Sequence, residues 1–169
     1  QYVKASRKPH LEGTSEYAFR ESVFNRKLAA VQAFNKEGHS WKKGINHLSD
    51  RTEEEFKRLN GRIPDSQSGH KPAQTVFTAT AGATLPLQID YRTNFPPVLT
   101  AVKDQGFCGS CWAHAATESI ETHWALATNE LYVLSQQQIT SCTNNSKSCG
   151  GTGGCFGATA ELAWEYVTA

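Results

Sequence analysis

The feature that most constrains this chain is a cysteine placed where an apolar-periodic helix begins, in residues 105–112 (Gln-Gly-Phe-Cys-Gly-Ser-Cys-Trp). Between residues 110 and 127, apolar side chains recur every four positions, at Trp112, Ala116, Ile120 and Trp124. This spacing predicts a helix with a buried stripe, and Cys111 falls in its first turn. A helix N-terminus carries unpaired N–H groups and about half a positive charge, so it stabilises a thiolate over a thiol. Cys111 is therefore the candidate nucleophile of a catalytic site.

All five cysteines lie in the second half of the chain: Cys108, Cys111, Cys142, Cys149 and Cys155. An odd count leaves at least one thiol unpaired within the chain, which suits a reactive cysteine plus disulfides in an oxidising compartment. A zinc site is the alternative, since Cys108 and Cys111 have CxxC spacing. Cys149 and Cys155 are separated by five residues, however, and a helix begins at once after Cys111. We therefore expect no metal site.

Composition and charge exclude several classes of protein. With 169 residues, 38% of them hydrophobic, the chain can fill one globular core. No run of apolar residues is long enough to predict a membrane span. Residues 1–84 carry a net charge of +5 and residues 85–169 carry −4, so the two halves should attract each other. The basic pairs Lys42-Lys43 and Lys57-Arg58 lack interleaved aromatics, which disfavours nucleic-acid binding. The start at Gln1 and the absence of Met indicate a processed or truncated product.

The first half contains two motifs in a fixed order. A predicted helix from Ser15 to Asn35 carries six residues on one face: Glu16, Arg20, Phe24, Lys27, Val31 and Asn35. The set resembles the ERFNIN pattern of papain-family propeptides, with Lys27 and Val31 as departures. Gly44, Asn46 and Asp50 then resemble the second propeptide motif, GxNxFxD, with Leu48 in place of Phe. Thr52 and Glu55 form a predicted capping box that opens a short helix ending at about Leu59.

Residues 105–112 resemble the active-site signature of papain-like cysteine proteases. The resemblance implies an α+β, papain-like fold, represented by a helical propeptide and the mainly α left half of the catalytic domain. We expect an inhibitory propeptide domain at 1–60 and an extended segment at 61–84 that crosses the cleft in the direction opposite to substrate. The truncated left half would then follow at 85–169, after a cleavage site near Thr84. Two more helices are predicted, one capped by Ser135 with Gln138 and running to Cys142, and one from Gly157 to about Val167.

The same resemblance assigns roles to individual residues. Cys111 is implied to be the nucleophile, with its own N–H and the Gln105 side chain as oxyanion donors. The substrate cleft would be lined by Gly109, Ser110, Gly157 and Ala158. Ala158 stands where the family usually has Gly, so we expect it to hinder strand-like pairing with substrate. Cys108 is implied to pair with Cys155, and Cys142 with a residue beyond Ala169; a Cys142–Cys149 disulfide is the alternative.

The general acid and its orienting partner are missing from this chain. In the family, the catalytic His and Asn follow the Cys by about 130 to 150 residues, which is beyond residue 169. His114 and His123 lie on the helix of the nucleophile, and we interpret them as packing or surface residues. The chain alone is therefore predicted to be inactive, and either a second chain or a missing C-terminal half would carry the His and Asn.

The sequence favours a cathepsin L-like cysteine endopeptidase zymogen that acts on polypeptides, needs no cofactor and is inhibited by its own propeptide. We expect a lysosomal, vacuolar or secreted location, and activation at acidic pH as carboxylates are protonated. His10, His39, His47 and His70 would add repulsion within the propeptide, and Asp50 is a candidate acid sensor. Two alternatives are a non-catalytic, protease-like subunit of an assembly and an isolated propeptide-type inhibitor.

Overall fold

A computed structural model describes residues 9–63, 82, 84 and 86–169, which divide into two compact units after Lys57. Five α-helices occur in this part of the chain, and it contains no β-strand: α1 (Ser15–Lys36), α2 (Glu53–Lys57), α3 (Cys111–Thr128), α4 (Gln136–Cys142) and α5 (Ala160–Thr168). Two short 3₁₀ turns lie at Tyr91–Thr93 and Gly154–Phe156. None of the described helices has the length and apolarity needed to span a bilayer.

The first unit is built on α1, whose bounds match the predicted helix to within one residue. Thr14 caps its N-terminus by accepting a hydrogen bond from the N–H of Tyr17 at 3.2 Å. At the other end, the Asn35 side chain donates to the carbonyl of Lys43 at 2.9 Å and accepts from the N–H of Lys43 at 2.8 Å. Asn35 therefore folds the chain back after α1 ends.

Arg20 joins the two propeptide motifs within this unit. Its guanidinium donates to the Glu16 carboxylate at 2.7 Å, to the backbone carbonyl of Asp50 at 3.1 Å and to Glu55 Oε1 at 2.8 Å. The hydrogen bond from Arg20 lowers the pKa of Glu55 to about 2, against the opposing effect of burial. The pairing with Glu55 likewise raises the pKa of Arg20 above its ordinary value.

The remaining motif residues differ in their burial and in their contacts. Phe24 and Val31 are half-buried on α1, and Asp50 is 2% exposed with its Oδ2 atom 3.4 Å from Nε2 of His10. The Asn46 side chain accepts from the N–H of Leu48 at 3.0 Å, which sets the turn before α2. Gly44 is exposed.

The predicted capping box of α2 is present. Thr52 Oγ1 accepts from the N–H of Glu55 at 3.3 Å, and the Glu55 carboxylate accepts from the N–H of Thr52 at 2.8 Å. The helix ends at Lys57, two residues before the predicted end at Leu59. Arg58 and Leu59 instead form the turn that leads into an extended stretch of chain.

The second unit packs α3 against α4 and α5. Ser135 caps α4 as predicted, by accepting from the N–H of Gln138 at 3.1 Å. The core cluster contains residues from all three helices and from the strip before α5: Trp112, Ala113, Ala116, Ile139, Ala158 and Ala163. The small side chains on α3 allow α4 and α5 to approach it closely.

The predicted buried stripe of α3 is only half correct. Trp112 and Ala116 are buried, but Ile120 is only half-buried and Trp124 is 50% exposed. A strict four-residue repeat drifts around a helix that has 3.6 residues per turn, so the fourth member of the series turns out of the core. The buried face continues through Thr117, Glu121 and Ala125 instead.

The last helix also begins later than predicted, at Ala160 rather than Gly157. Gly157 has a φ of 97°, which excludes it from a right-handed helix, and Thr159 is extended. Gly157 and Ala158 therefore remain outside the helix as a short open strip.

Candidate active site

Cys111 is the first residue of α3, and its side chain faces an N–H donor from an earlier part of the chain. The backbone N–H of Gly61 donates to Cys111 Sγ at 3.0 Å. The preceding residue, Ser110, is 3% exposed, and its carbonyl accepts from the N–H groups of Ala113 and His114 at 3.0 and 3.1 Å. The sulfur thus lies at the positive end of the α3 dipole.

The Gln105 side chain lies beside the same stretch of chain. Its Nε2 atom donates to the carbonyl of Leu59 at 2.8 Å and to the carbonyl of Cys108 at 2.7 Å. The bond to Cys108 fixes the orientation of the amide, and the bond to Leu59 shows that the amide can hold a carbonyl oxygen.

The backbone on either side of the site is tied together covalently. A Cys108–Cys155 disulfide connects the segment before α3 to the 3₁₀ turn at Gly154–Phe156. The N–H of Gly109 donates to the carbonyl of Cys155 at 3.1 Å, and a Cβ atom on Gly109 would lie 2.5 Å from that oxygen. The Trp112 indole donates to the carbonyl of Gly154 at 3.1 Å. Gly109 is therefore required by the close approach of these two segments.

The strip formed by Gly157 and Ala158 contacts the same earlier part of the chain as Cys111 does. The N–H of Ala158 donates to the carbonyl of Gly61 at 3.0 Å, and a Cβ on Gly157 would lie 2.4 Å from the same oxygen. The Ala158 methyl group is fully buried in the core cluster. Because the Ala158 N–H still bonds to the Gly61 carbonyl, the hindrance that we expected from Ala158 does not arise for this segment.

Residues 59–63 thus run through the site, and we call them the covering segment. Besides the contacts of Leu59 and Gly61, the N–H of Ile63 donates to the carbonyl of Gly150 at 2.9 Å. Sequence reasoning placed the start of the cleft-crossing segment at residue 61, so it missed Leu59, and it assigned no role to Gly61 or Gly150. The Asn60-Gly61 dipeptide was the available signal, since it marks a break after a helix. Most of the expected crossing segment, residues 64–81, lies outside the described residues.

A buried ion pair supports the segment that carries Gln105. Glu121 on α3 is 1% exposed and accepts from Lys103 at 2.8 Å, from Thr100 at 2.6 Å and from the N–H of Leu134 at 2.8 Å. Burial acts to raise the pKa of Glu121, but these hydrogen bonds outweigh it and lower the pKa below its ordinary value. The pair fixes residues 100–103 against the helix of Cys111.

The two remaining free cysteines and the two histidines of α3 are not part of this arrangement. Cys142 and Cys149 are free thiols, exposed and buried respectively, so they form no disulfide with each other. His114 Nδ1 lies 3.0 Å from the carbonyl of Ser110, one turn back along its own helix, and His123 is exposed. In the described part of the chain, no three His, Cys, Asp or Glu side chains are grouped to bind a metal ion.

Comparison with family models and curated proteins gives consistent results. Residues 85–169 match the model of the papain family cysteine proteases, and residues 1–56 match that of the cathepsin propeptide inhibitor domain (I29). Digestive cysteine proteinase 1 of Homarus americanus is 37% identical over 156 residues, which cover 90% of this chain and 46% of the relative. Procathepsin L of Rattus norvegicus is 32% identical over 162 residues, which cover 93% of this chain and 46% of that relative. The chain thus spans about half the length of these relatives.

Solved structures of precursors show the same fold. Digestive procathepsin L2 proteinase from the larval midgut of Tenebrio molitor has a TM-score of 0.81 at 27% identity, over 98% of this chain and 53% of that one. The recombinant stem bromelain precursor has a TM-score of 0.77 at 25% identity, and the match covers 98% of this chain and 50% of that one. Because the papain-family model matches half of the chain and the propeptide model matches most of the rest of it up to residue 56, the chain belongs to the papain family of cysteine proteases.

Proposed function

We propose that this chain is the propeptide and the N-terminal half of the catalytic domain of a cysteine endopeptidase zymogen. The propeptide domain would occupy 1–60, the extended segment 61–84 and the catalytic half 85–169. One observation carries the proposal: the Cys111 sulfur and the Gln105 amide converge on the same three residues of the chain, 59–61. Gln105 holds a backbone carbonyl oxygen there, as it would hold that of a peptide substrate, and the sulfur lies against the backbone of the same stretch.

The chemistry follows from these two side chains. A Cys111 thiolate attacks the carbonyl carbon of a peptide bond, and the oxygen takes up the negative charge. Gln105 Nε2 and the backbone N–H of Cys111 donate hydrogen bonds to that oxygen. The C–N bond then breaks, the amine leaves with a proton from a general acid, and water hydrolyses the thioester.

The covering segment would act as an inhibitor because it presents the wrong group to the sulfur. The carbonyl held by Gln105 belongs to Leu59, whereas the group facing Sγ is the N–H of Gly61, two residues later. The carbonyl that Gln105 holds and the group hydrogen-bonded to the sulfur therefore belong to different residues. By the family resemblance, substrates run in the opposite direction through the cleft.

By the family resemblance, the general acid would come from residues outside this chain. His114 hydrogen-bonds within its own helix and His123 is exposed, so neither is available to Cys111. A His and an Asn on a C-terminal half or on a second chain would complete the site, as the resemblance implies. The chain alone would not hydrolyse peptides.

Activation by acid in a lysosomal, vacuolar or secreted setting would use the charge difference between residues 1–84 (+5) and 85–169 (−4). Protonation of carboxylates would weaken that attraction. Glu55 would not be one of the carboxylates that take up a proton in mild acid, since its pKa is about 2. His10 lies 3.4 Å from Asp50 and His39 lies 2.8 Å from Glu37, so each of these two rings faces a carboxylate.

The test is hydrolysis of an unfolded polypeptide by the full-length protein after acid treatment, with intact mass recorded before and after. Cys111→Ala should abolish cleavage, whereas His114→Ala, on the same helix, should retain it. Absence of cleavage by the wild-type protein, with Cys111 unreactive to a thiol-directed epoxide, would instead favour the non-catalytic subunit.

A further inference from the structure

The turn that follows α4 contains two neighbouring asparagines whose side chains have opposite surroundings. Asn145 is half-buried: its Nδ2 atom donates to the carbonyls of Cys149 at 3.1 Å and Gly151 at 2.9 Å, and its Oδ1 atom accepts from the N–H of Cys149 at 2.8 Å. Asn144 and Ser146, on either side of it, are exposed. The contacts of Asn145 therefore fix the turn in a form that leaves its two neighbours on the surface.

Asn144 itself forms a local turn with Ser146. Its Oδ1 atom accepts from the backbone N–H of Ser146 at 3.0 Å, whereas no residue in the described part of the chain accepts a hydrogen bond from its Nδ2 atom. An Asx turn of this kind joins an asparagine to the backbone two residues on, so it needs no other part of the fold. The same arrangement is therefore accessible to the newly made chain before it folds.

These residues form an acceptor pattern for N-linked glycosylation. Asn144 is followed by a residue other than Pro and then by Ser146, and no other asparagine of the chain is followed by Ser or Thr at that position. A glycan is bulky, so an acceptor must lie where the attached sugar can extend into solvent. The exposed position of Asn144 meets this requirement.

The Cys108–Cys155 disulfide provides a second, independent indication. Disulfides form and persist in oxidising compartments such as the lumen of the endoplasmic reticulum and the cell exterior. Proteins that follow this route in eukaryotic cells are the ones exposed to the enzymes that glycosylate asparagine. The pattern at Asn144 thus belongs to a chain with the chemistry of a secretory protein.

We propose that Asn144 is an N-glycosylation site. Its Nδ2 atom attacks the anomeric carbon of an oligosaccharide that is joined to a lipid diphosphate, and a new C–N bond forms. The bond between that carbon and the phosphate oxygen breaks, the lipid diphosphate leaves with the electron pair, and Nδ2 loses one proton. The modification goes beyond the proposed protease function and does not depend on it.

The experiment uses the full-length protein, directed into the secretory pathway of eukaryotic cells and recovered from both the medium and the cell extract. Enzymatic removal of N-glycans in water labelled with heavy oxygen should leave an aspartate with one heavy oxygen atom at position 144, and it should lower the intact mass by one glycan. Asn144→Gln and Ser146→Ala should both lose this mass difference. Ser146→Thr, which keeps the hydroxyl group, and Asn94→Gln, at an exposed asparagine outside the pattern, should retain it.

Ser146→Ala is the sharper of the two loss variants. It keeps Asn144 and the backbone N–H that bonds to it, so a loss of glycan there is not caused by a change in the turn. Wild-type protein with an unmodified Asn144 in both fractions would overturn the proposal, and so would a glycan that persists in Ser146→Ala. If Asn144→Gln does not fold, Ser146→Ala and the heavy-oxygen label on the wild type still decide. None of these readouts involves peptide hydrolysis, so a failure of the protease function would be seen separately.

Discussion

Gly61 is the residue on which coverage of Cys111 depends most directly, and Gly61→Ala should uncover the sulfur. A Cβ atom at this position would lie 1.6 Å from the carbonyl oxygen of Gly109. Carbon and oxygen in contact normally stay about 3.3 Å apart, so the two backbones must separate by about 1.7 Å. Gly109 is fixed next to the Cys108–Cys155 disulfide and by its bond to Cys155. The covering segment is therefore the part that moves.

The size of the effect follows from the hydrogen bonds that the movement breaks. Gly61 donates to Cys111 Sγ and accepts from the N–H of Ala158, both at 3.0 Å, and neither bond survives a displacement of this size. Each such bond contributes about 0.5–1.5 kcal/mol, so the loss is about 1–3 kcal/mol. That corresponds to about a 5- to 150-fold larger population with the cleft open.

The assay is the rate of alkylation of Cys111 in the intact precursor, counted on the peptide that contains residue 111 so that Cys142 and Cys149 do not contribute. The rate follows the open population when opening is fast relative to alkylation. Gly44→Ala is the matched control, since an added Cβ there meets nothing within 4 Å. A folded Gly61→Ala precursor that is alkylated no faster than wild type would refute the reasoning.

Three further predictions concern the oxyanion donor, the propeptide unit and the disulfide. Gln105→Ala should lower peptide hydrolysis by the activated full-length protein by about a hundredfold or more, and Gln137→Ala on the exposed side of α4 should not; equal rates for Gln105→Ala and wild type would exclude the oxyanion role. Glu55→Gln should destabilise the propeptide unit by about 1–3 kcal/mol near neutral pH in denaturant titrations. Because the pKa of Glu55 is lowered from 4.5 to about 2, this difference should persist above about pH 5 and vanish as the pH falls towards 2; a difference that stays constant down to pH 2 would contradict the Arg20–Glu55 assignment. Cys108→Ser opens a loop with a sequence separation of 47 residues and should cost about 3–4 kcal/mol of stability; an unchanged melting temperature would show that the disulfide does not constrain the site.

Local signals in the sequence predicted the helices well. The Thr52–Glu55 box and the Ser135–Gln138 cap each specify a helix start through side chains three residues apart, and both caps are present. The start of α3 at Cys111 was likewise encoded locally, by the change from a glycine-containing segment to a run of apolar periodicity. Such features need no information about the rest of the fold.

Features that depend on distant contacts were not predictable in the same way. The late start of α5, for example, follows from the positive φ of Gly157, which lies close to the backbone of Gly61 and Gly150. The role of Gly61 depends on Gly109, 48 positions away in the sequence, whereas the Asn60-Gly61 pair indicates only a break after the helix. Neither could the sequence show that the Gly150 carbonyl reaches Ile63.

The most direct test of the account is the reactivity of Cys111 towards a thiol-directed epoxide, measured on the precursor and again after propeptide removal. The account predicts that the sulfur is protected in the precursor, where the Gly61 N–H and the Gln105–Leu59 bond hold the covering segment over it, and that it is labelled rapidly once the segment is gone. Equal labelling of Cys111 in both forms, or no labelling in either, would contradict it.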